Sequence, residues 1–258
     1  MIYFDIFRFQ LLRNIAYPFE LLAHILKRVL WIFFLIFFWS LVAQGNEAIN
    51  IRTLGSYFLI ATGVTDITMA AWGFLSHFMG MYIKDGNINN LLVKPLNIIP
   101  SIYAISAGRN AVRLGLMLFF IFAGLIINLP QSMFSVVLFF AFLINAFLIS
   151  FAKNILEGTM YFHLTDAWGI RSSLNHLITI FSGAQVPLYL FPDTLRQILM
   201  LSPFPYMVYA PTHALTVNNL SNDVIIGLGV GLFWAFALNI IALLFWRTSI
   251  KKYEAIGI

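Results

Sequence analysis

The sequence predicts an all-α integral membrane protein: six transmembrane helices, an N-terminal amphipathic interfacial helix before the first, and short broken, re-entrant helices between the fifth and sixth. Three observations carry that fold class. Hydrophobic residues make up 61% of the 258 residues and charged residues only 10%, with a mean hydropathy of +0.89, against about 45–50% apolar and about 25% charged in an ordinary soluble domain. Six apolar windows approach the ~20 residues needed to cross the hydrocarbon. The basic residues gather at one set of window ends, the asymmetry that fixes topology. So little polar sequence separates the windows that residues 1–258 read as one membrane domain.

Taken in order, the first 28 residues place Phe4, Phe7, Leu11, Ile15 and Phe19 on one side and Asp5, Arg8, Arg13, Tyr17 and Glu20 on others, with Pro18 as a kink. This pattern predicts a helix lying in the interface. A cleaved leader is disfavoured, because the apolar run begins late and no small-residue cleavage site follows Ala43 convincingly. The first span is expected from Leu22 or Val29 to Ala43, the second from Leu54 to Phe78, and the third from Ala104 to Leu129. Pro130 marks a short hairpin to the fourth, Ser132 to Leu156. The fifth is expected over Ser173 to Leu190 and the sixth over Val224 to Trp246.

The bases orient these spans. Arg8, Arg13, Lys27 and Arg28 precede the first; Lys84, Lys94, Arg109 and Arg113 surround the connection from second to third; Lys153 and Arg171 flank that from fourth to fifth; Arg247, Lys251 and Lys252 follow the sixth. Only Arg52 and Arg196 fall opposite. Both termini and the segment 79–100 are therefore expected in the cytoplasm, in a multi-pass protein of the cell (inner) membrane. Bases confined to span ends, without interleaved aromatics, exclude a nucleic-acid face and leave the lipid bilayer as partner. The absence of cysteine removes disulfides, thiolate metal sites and cysteine nucleophiles.

Chemistry-bearing groups inside the spans are few. Asp66 falls in the middle of the second span, where an ionised acid costs about 2.5–3.5 kcal/mol on insertion scales. Helical steps of three or four join Gly55, Leu59, Thr62, Asp66, Ala70, Gly73 and His77 into a small and polar stripe. Such a stripe is a helix-packing seam, a translocation wall, or a proton relay. Arg109 and Arg113 are expected to snorkel to phosphates, and Lys153 to pair with Glu157 four residues on, an exposed pair worth a few tenths of a kcal/mol. His24, His77, His163, His176 and His213 are scattered, with neither a His-Glu-x-x-His pattern nor a Gly-x-Ser-x-Gly elbow in the chain. No metal site or hydrolase is predicted.

Two stretches are more specific. GNINNLLVKPLN, Gly86 to Asn97, writes a short amphipathic helix with Ile88, Leu91, Leu92 and Leu96 on one face, then Lys94 and Pro95 to end it. SGAQVPLYLFPDTLRQILMLSPFPYMVYAP, Ser182 to Pro211, is broken by prolines yet unusually apolar. Pro192 and Asp193 make a good start for a helix over Thr194 to Leu201 that is too short to cross.

Together on a six-span frame, these stretches resemble the permease subunits of ATP-binding-cassette exporters of the second permease type (ABC-2). Those proteins carry a cytoplasmic Gly-x-aliphatic-x-x-Leu-Leu-x-basic-Pro-aliphatic segment, matched here by Gly86, Ile88, Leu91, Leu92, Lys94, Pro95 and Leu96. Their outer segment is matched by Gly183, Pro187, Phe191, Pro192, Pro203, Phe204 and Pro211. The resemblance covers essentially the whole chain. It implies that residues 79–100 dock into an ATPase subunit, and that residues 187–223 re-enter the outer leaflet and cap the exit. It also implies a dimer with a second copy or a sister permease, and two ATPase subunits. The chain has no G-x-x-x-x-G-K-[ST] loop and no Gly-Lys dipeptide, so ATP and Mg would be bound by the partner and this chain is not expected to be an enzyme. An ATP-independent channel or secondary transporter is the alternative, and a membrane scaffold a third reading. The 27 Phe suit lipid contact and a hydrophobic drug path equally.

Overall fold

A computed structural model describes residues 2–15, 18–42, 50–86, 88–89, 97–130, 132–164, 167–216 and 223–251. Among them every regular element is helical. The helices are α1 (Ile2–Ile15), α2 (Pro18–Val42), α3 (Ile51–Thr65), a π-helical turn (Asp66–Ala70), α4 (Ala71–Lys84), α5 (Ile98–Ile127), α6 (Met133–Thr159), α7 (Trp168–Phe181), α8 (Asp193–Met200), α9 (Tyr209–Thr216) and α10 (Asp223–Lys251).

Local chemistry sets several boundaries. Asn50 caps α3 by accepting from Arg52 N at 2.9 Å, and Ser132 caps α6 by accepting from Ser135 N at 3.2 Å, each satisfying an amide that a first turn leaves unpaired. Pro18 is the first described residue of α2, a position where a missing amide hydrogen is harmless; residues 16 and 17, on which the expected kink depends, lie outside the described residues.

Contacts sort the helix ends into two groups. At one end Asn97 N donates to Tyr3 Oη (3.2 Å), Arg171 to Ser76 Oγ (3.2 Å), and His163 pairs with Ser249 (2.8 Å). At the other, Arg52 Nε donates to Ile127 O (3.0 Å) and Asn128 Nδ2 to Thr216 O (3.1 Å). The expectation of six full spans is not confirmed. Among the described residues three helices are long and apolar enough to cross a bilayer, Leu22–Val42, Met133–Phe162 and Val224–Lys251. A fourth is added if Ile98–Val112 and Met117–Ile127, bent by 53°, form one span. The expected second span is interrupted by the π turn at Asp66–Ala70. The expected fifth stops at Phe181 after 14 residues, about 21 Å of helix against a hydrocarbon thickness of about 30 Å.

The core lies where α3, α6, α9 and the 3-10 turn Phe204–Met207 meet, around Tyr57, Phe58, Phe142, Tyr206 and Val208. A second cluster at the other end gathers Leu75, Met79, Ile102, Ile155 and Trp246. Close helix contact comes from glycines outside the Thr62–Asp66–Gly73 stripe. A Cβ on Gly63 would stand 2.9 Å from Met117 O, and one on Gly124 3.0 Å from Ser56 O, so α3 and α5 touch backbone to backbone. Helix α1 packs along α5. Its inward face is Tyr3, Ile6, Phe7, Gln10 and Leu11, whereas Phe4, Ile15 and Phe19 of the predicted apolar side are exposed.

Candidate functional site

Three regions carry the sequence-predicted residues. The first follows α4, where Gly86 takes φ +69°. Its amide bonds to Ile83 O (3.3 Å) and its carbonyl accepts from Asn89 N (3.1 Å), a left-handed helix end that glycine adopts without steric cost. A Cβ there would meet nothing within 4 Å. Gly86→Ala is therefore expected to destabilise by about 1 kcal/mol through backbone strain alone, read as a lower unfolding midpoint in detergent with no loss of packing. Ile88 departs from expectation. It is 1% exposed and packed in the second cluster with Phe78, Ile83 and Ile102, so it anchors the segment to the bundle and is unavailable to a partner. Leu91, Leu92, Lys94, Pro95 and Leu96 lie outside the described residues.

The second region is the membrane core around Asp66. Its carboxylate Oδ1 accepts from Arg28 of α2, an ion pair between side chains 4% and 20% exposed. Arg28, counted from sequence among the topology-setting bases, is turned inward. Thr62 is buried one turn before. The π turn gains one residue per turn relative to an α-helix, so the even stripe drawn through Asp66 to Gly73 and His77 does not continue on one face. Thr68, within the turn, donates to Met207 O (3.3 Å). That contact is 17 residues beyond the start of α3, about 25 Å along a helix, so the Phe204–Met207 turn reaches deep into the bundle.

Other charges also differ from expectation. Arg109 does not snorkel: its guanidinium stacks 4.3 Å above the Phe78 ring and its Nε donates to Gln10 (3.0 Å), joining α1, α4 and α5. The side chain of Arg113 lies outside the described residues. Lys153 and Glu157 do pair, at 3.1 Å, but with side chains 11% and 5% exposed. Asn175 of α7 donates to the same Glu157 oxygen (3.1 Å) and accepts from Lys153. The pair is thus a buried bridge between α6 and α7, not a surface contact. Among the described residues no cluster of His, Asp and Glu could hold a metal ion.

The third region runs from Ser182 to Thr216. Gly183 has φ +88°, ends α7 and offers its carbonyl to the Tyr57 hydroxyl at 2.7 Å; Tyr209 N donates to Ser182 O (2.9 Å). Pro187 leads into a 3-10 turn, Leu188–Leu190. Phe191 and Pro192 lead into α8, which runs Asp193–Met200, one residue ahead of the expected start. Pro203 precedes the deep turn, Phe204 opens it, and Pro211 lies in the first turn of α9. All seven predicted positions therefore fall on turns or helix starts of one folded segment. Missed by sequence reasoning is a cavity of about 330 Å³ beneath it, lined among others by Tyr189, Arg196, Tyr206, Tyr209 and His213. These residues come from separate short elements, and no spacing links them.

A family model described as ABC-2 family transporter protein matches residues 29–257. Among curated proteins none matches the chain.

Proposed function

The chain belongs to the ABC-2 transporter family, and from that premise we propose that it is the membrane-spanning subunit of an ATP-driven exporter. It would line the translocation path as a dimer with a second copy or a sister permease. Two separate ATPase chains would bind ATP and Mg, since this sequence has no phosphate-binding loop. The observation that carries the reading is the extent of the family match, residues 29–257, which runs from within α2 through the segment after α4 and the outer segment to beyond α10. The base asymmetry supports cytoplasmic termini in the cell (inner) membrane.

Coupling is assigned to the chain after Gly86. With Ile88 held in the bundle, the aliphatic groups left to enter an ATPase groove are Leu91, Leu92 and Leu96, with Lys94 free to meet an acid on the partner. Closure of the ATPases on ATP would move this segment and, through Ile88, the α4 end, opening the path outward by alternating access.

The test is affinity purification of tagged protein from its native host in mild detergent, with mass spectrometry of what accompanies it. A copurifying ATPase with a phosphate-binding loop is expected, reduced at least about tenfold in Leu91→Asp/Leu92→Asp, since two buried leucines contribute roughly 3–6 kcal/mol. Recovery of the chain without any nucleotide-binding partner would replace this reading with a channel or carrier.

A further inference from the structure

We propose that the cavity beneath the outer segment is a binding site for a small amphiphile carrying one acidic group, a carboxylate, sulfonate or phosphate. The inference rests on the permease reading for its biological sense, as a station on the outward path, but not for its chemistry. At about 330 Å³ the cavity falls in the size range of small-ligand sites, about 300–1,000 Å³. Its walls come from the 3-10 turns bearing Tyr189 and Tyr206, from α8 through Arg196, from α9 through Tyr209 and His213, and from α6 and α10.

The lining sorts into two chemistries. Phe142 and the rings of Tyr206 and Tyr209 form an aromatic floor that suits a flat apolar body. Each polar side chain of the lining can donate, and Arg196 can only donate. The Tyr206 hydroxyl is already committed to Met200 O at 2.7 Å, but those of Tyr189 and Tyr209 make no hydrogen bond to a described residue, although Tyr209 is only 7% exposed. The His213 ring packs against Tyr209 with centroids 4.9 Å apart. Burial pulls the His213 imidazole down to about 4, so it is neutral at neutral pH and Arg196 supplies the charge. No described residue lining the cavity is acidic. The nearest competitor is Asp193, 2.7 Å from an Arg196 nitrogen, yet 81% exposed and outside the lining. One guanidinium and two uncommitted phenols above aromatic faces match a headgroup that accepts several hydrogen bonds and bears negative charge. A neutral or cationic ligand would leave the Arg196 charge uncompensated within the cavity.

Photolabelling of the full chain, purified in an uncharged detergent, tests this without an ATPase. The probe is 4-benzoylbenzoate, with 4-methylbenzophenone as its neutral counterpart, and labelled positions are mapped by mass spectrometry. Expected is saturable labelling within residues 189–213 by the acid and not by the neutral compound. Affinity should fall about tenfold or more in Arg196→Gln, the loss of a charged hydrogen bond. Tyr209→Phe, which removes one hydroxyl and keeps the ring, should weaken binding about threefold. Asp193→Asn, which frees the guanidinium, should strengthen it by up to about fivefold. Equal labelling by the neutral compound, labelling only elsewhere, or affinity unchanged in Arg196→Gln overturns the site. Any of these in a preparation that still copurifies an ATPase removes the ligand site and leaves the permease assignment standing.

Discussion

Asp66→Ala is expected to lower the unfolding free energy in detergent by about 3 kcal/mol, among the largest effects of any single substitution in the bundle. The variant leaves Arg28 with no ion-pair partner among the described residues, its side chain only 20% exposed, and stranding one member of a buried pair costs about 3–5 kcal/mol. The partial exposure of Arg28 puts the effect at the lower end. Replacing both members, Arg28→Met with Asp66→Leu, should recover most of the loss, because two apolar side chains of similar volume need no charge compensation. The double variant also separates packing from transport. If the pair is a seam between α2 and the broken second helix, export returns with stability. Export abolished in a stable double variant would instead assign the pair to the moving parts of the path.

The second large effect is expected at Gly183. Alanine there meets two independent penalties. At φ +88° a side chain costs about 1–2 kcal/mol, and the new Cβ would stand 2.8 Å from Tyr209 Cβ, 2.9 Å from the Tyr57 hydroxyl and 3.1 Å from Leu188 Cδ1. Those neighbours belong to three elements of the core and cannot all withdraw, which adds about 1–3 kcal/mol. The expected total is about 3 kcal/mol, with displacement of α9 and loss of the Tyr57 to Gly183 bond. Tyr57→Phe, which removes only that bond, should cost about 1 kcal/mol. Thermal unfolding of the two variants, together with photolabelling of the cavity that α9 lines, distinguishes a shifted segment from a lost hydrogen bond. Equal effects of the two variants would show that the clash is relieved elsewhere. The contrast with Gly86→Ala isolates the contact term, since Gly86 shares the positive φ and lacks neighbours.

Much of the outer segment was legible because proline and glycine act locally. A chain reading Gly183, Pro187, Pro192, Pro203 and Pro211 cannot continue as one helix, and the structure breaks it at those places. The same signal also limits the expected fifth span. Read as apolar through Leu190, that window ignored the stop already written at Gly183. The interruption at Asp66 was not legible. A π turn adds one residue to the helix without a glycine or proline to announce it, and the polar signal there, Asp66, reads equally well as an acid on an unbroken helix.

By itself, the sequence determined the solvent, the helical class, the base asymmetry and the order of two family-like segments, since composition, periodicity and proline chemistry depend on near neighbours. Only the tertiary structure decided which side chains meet. Arg28 turns from the interface to Asp66, Ile88 from a partner to the core, and Arg109 from lipid phosphate to Phe78 and Gln10. In each case a long or apolar side chain has two favourable destinations of similar local energy. The choice is made by a group 10 or more residues away, such as Phe78 or Ile102 around Ile88, which no local pattern encodes. Burial of a charge or a methyl group is then settled by which helices pack together, and that is a property of the folded bundle.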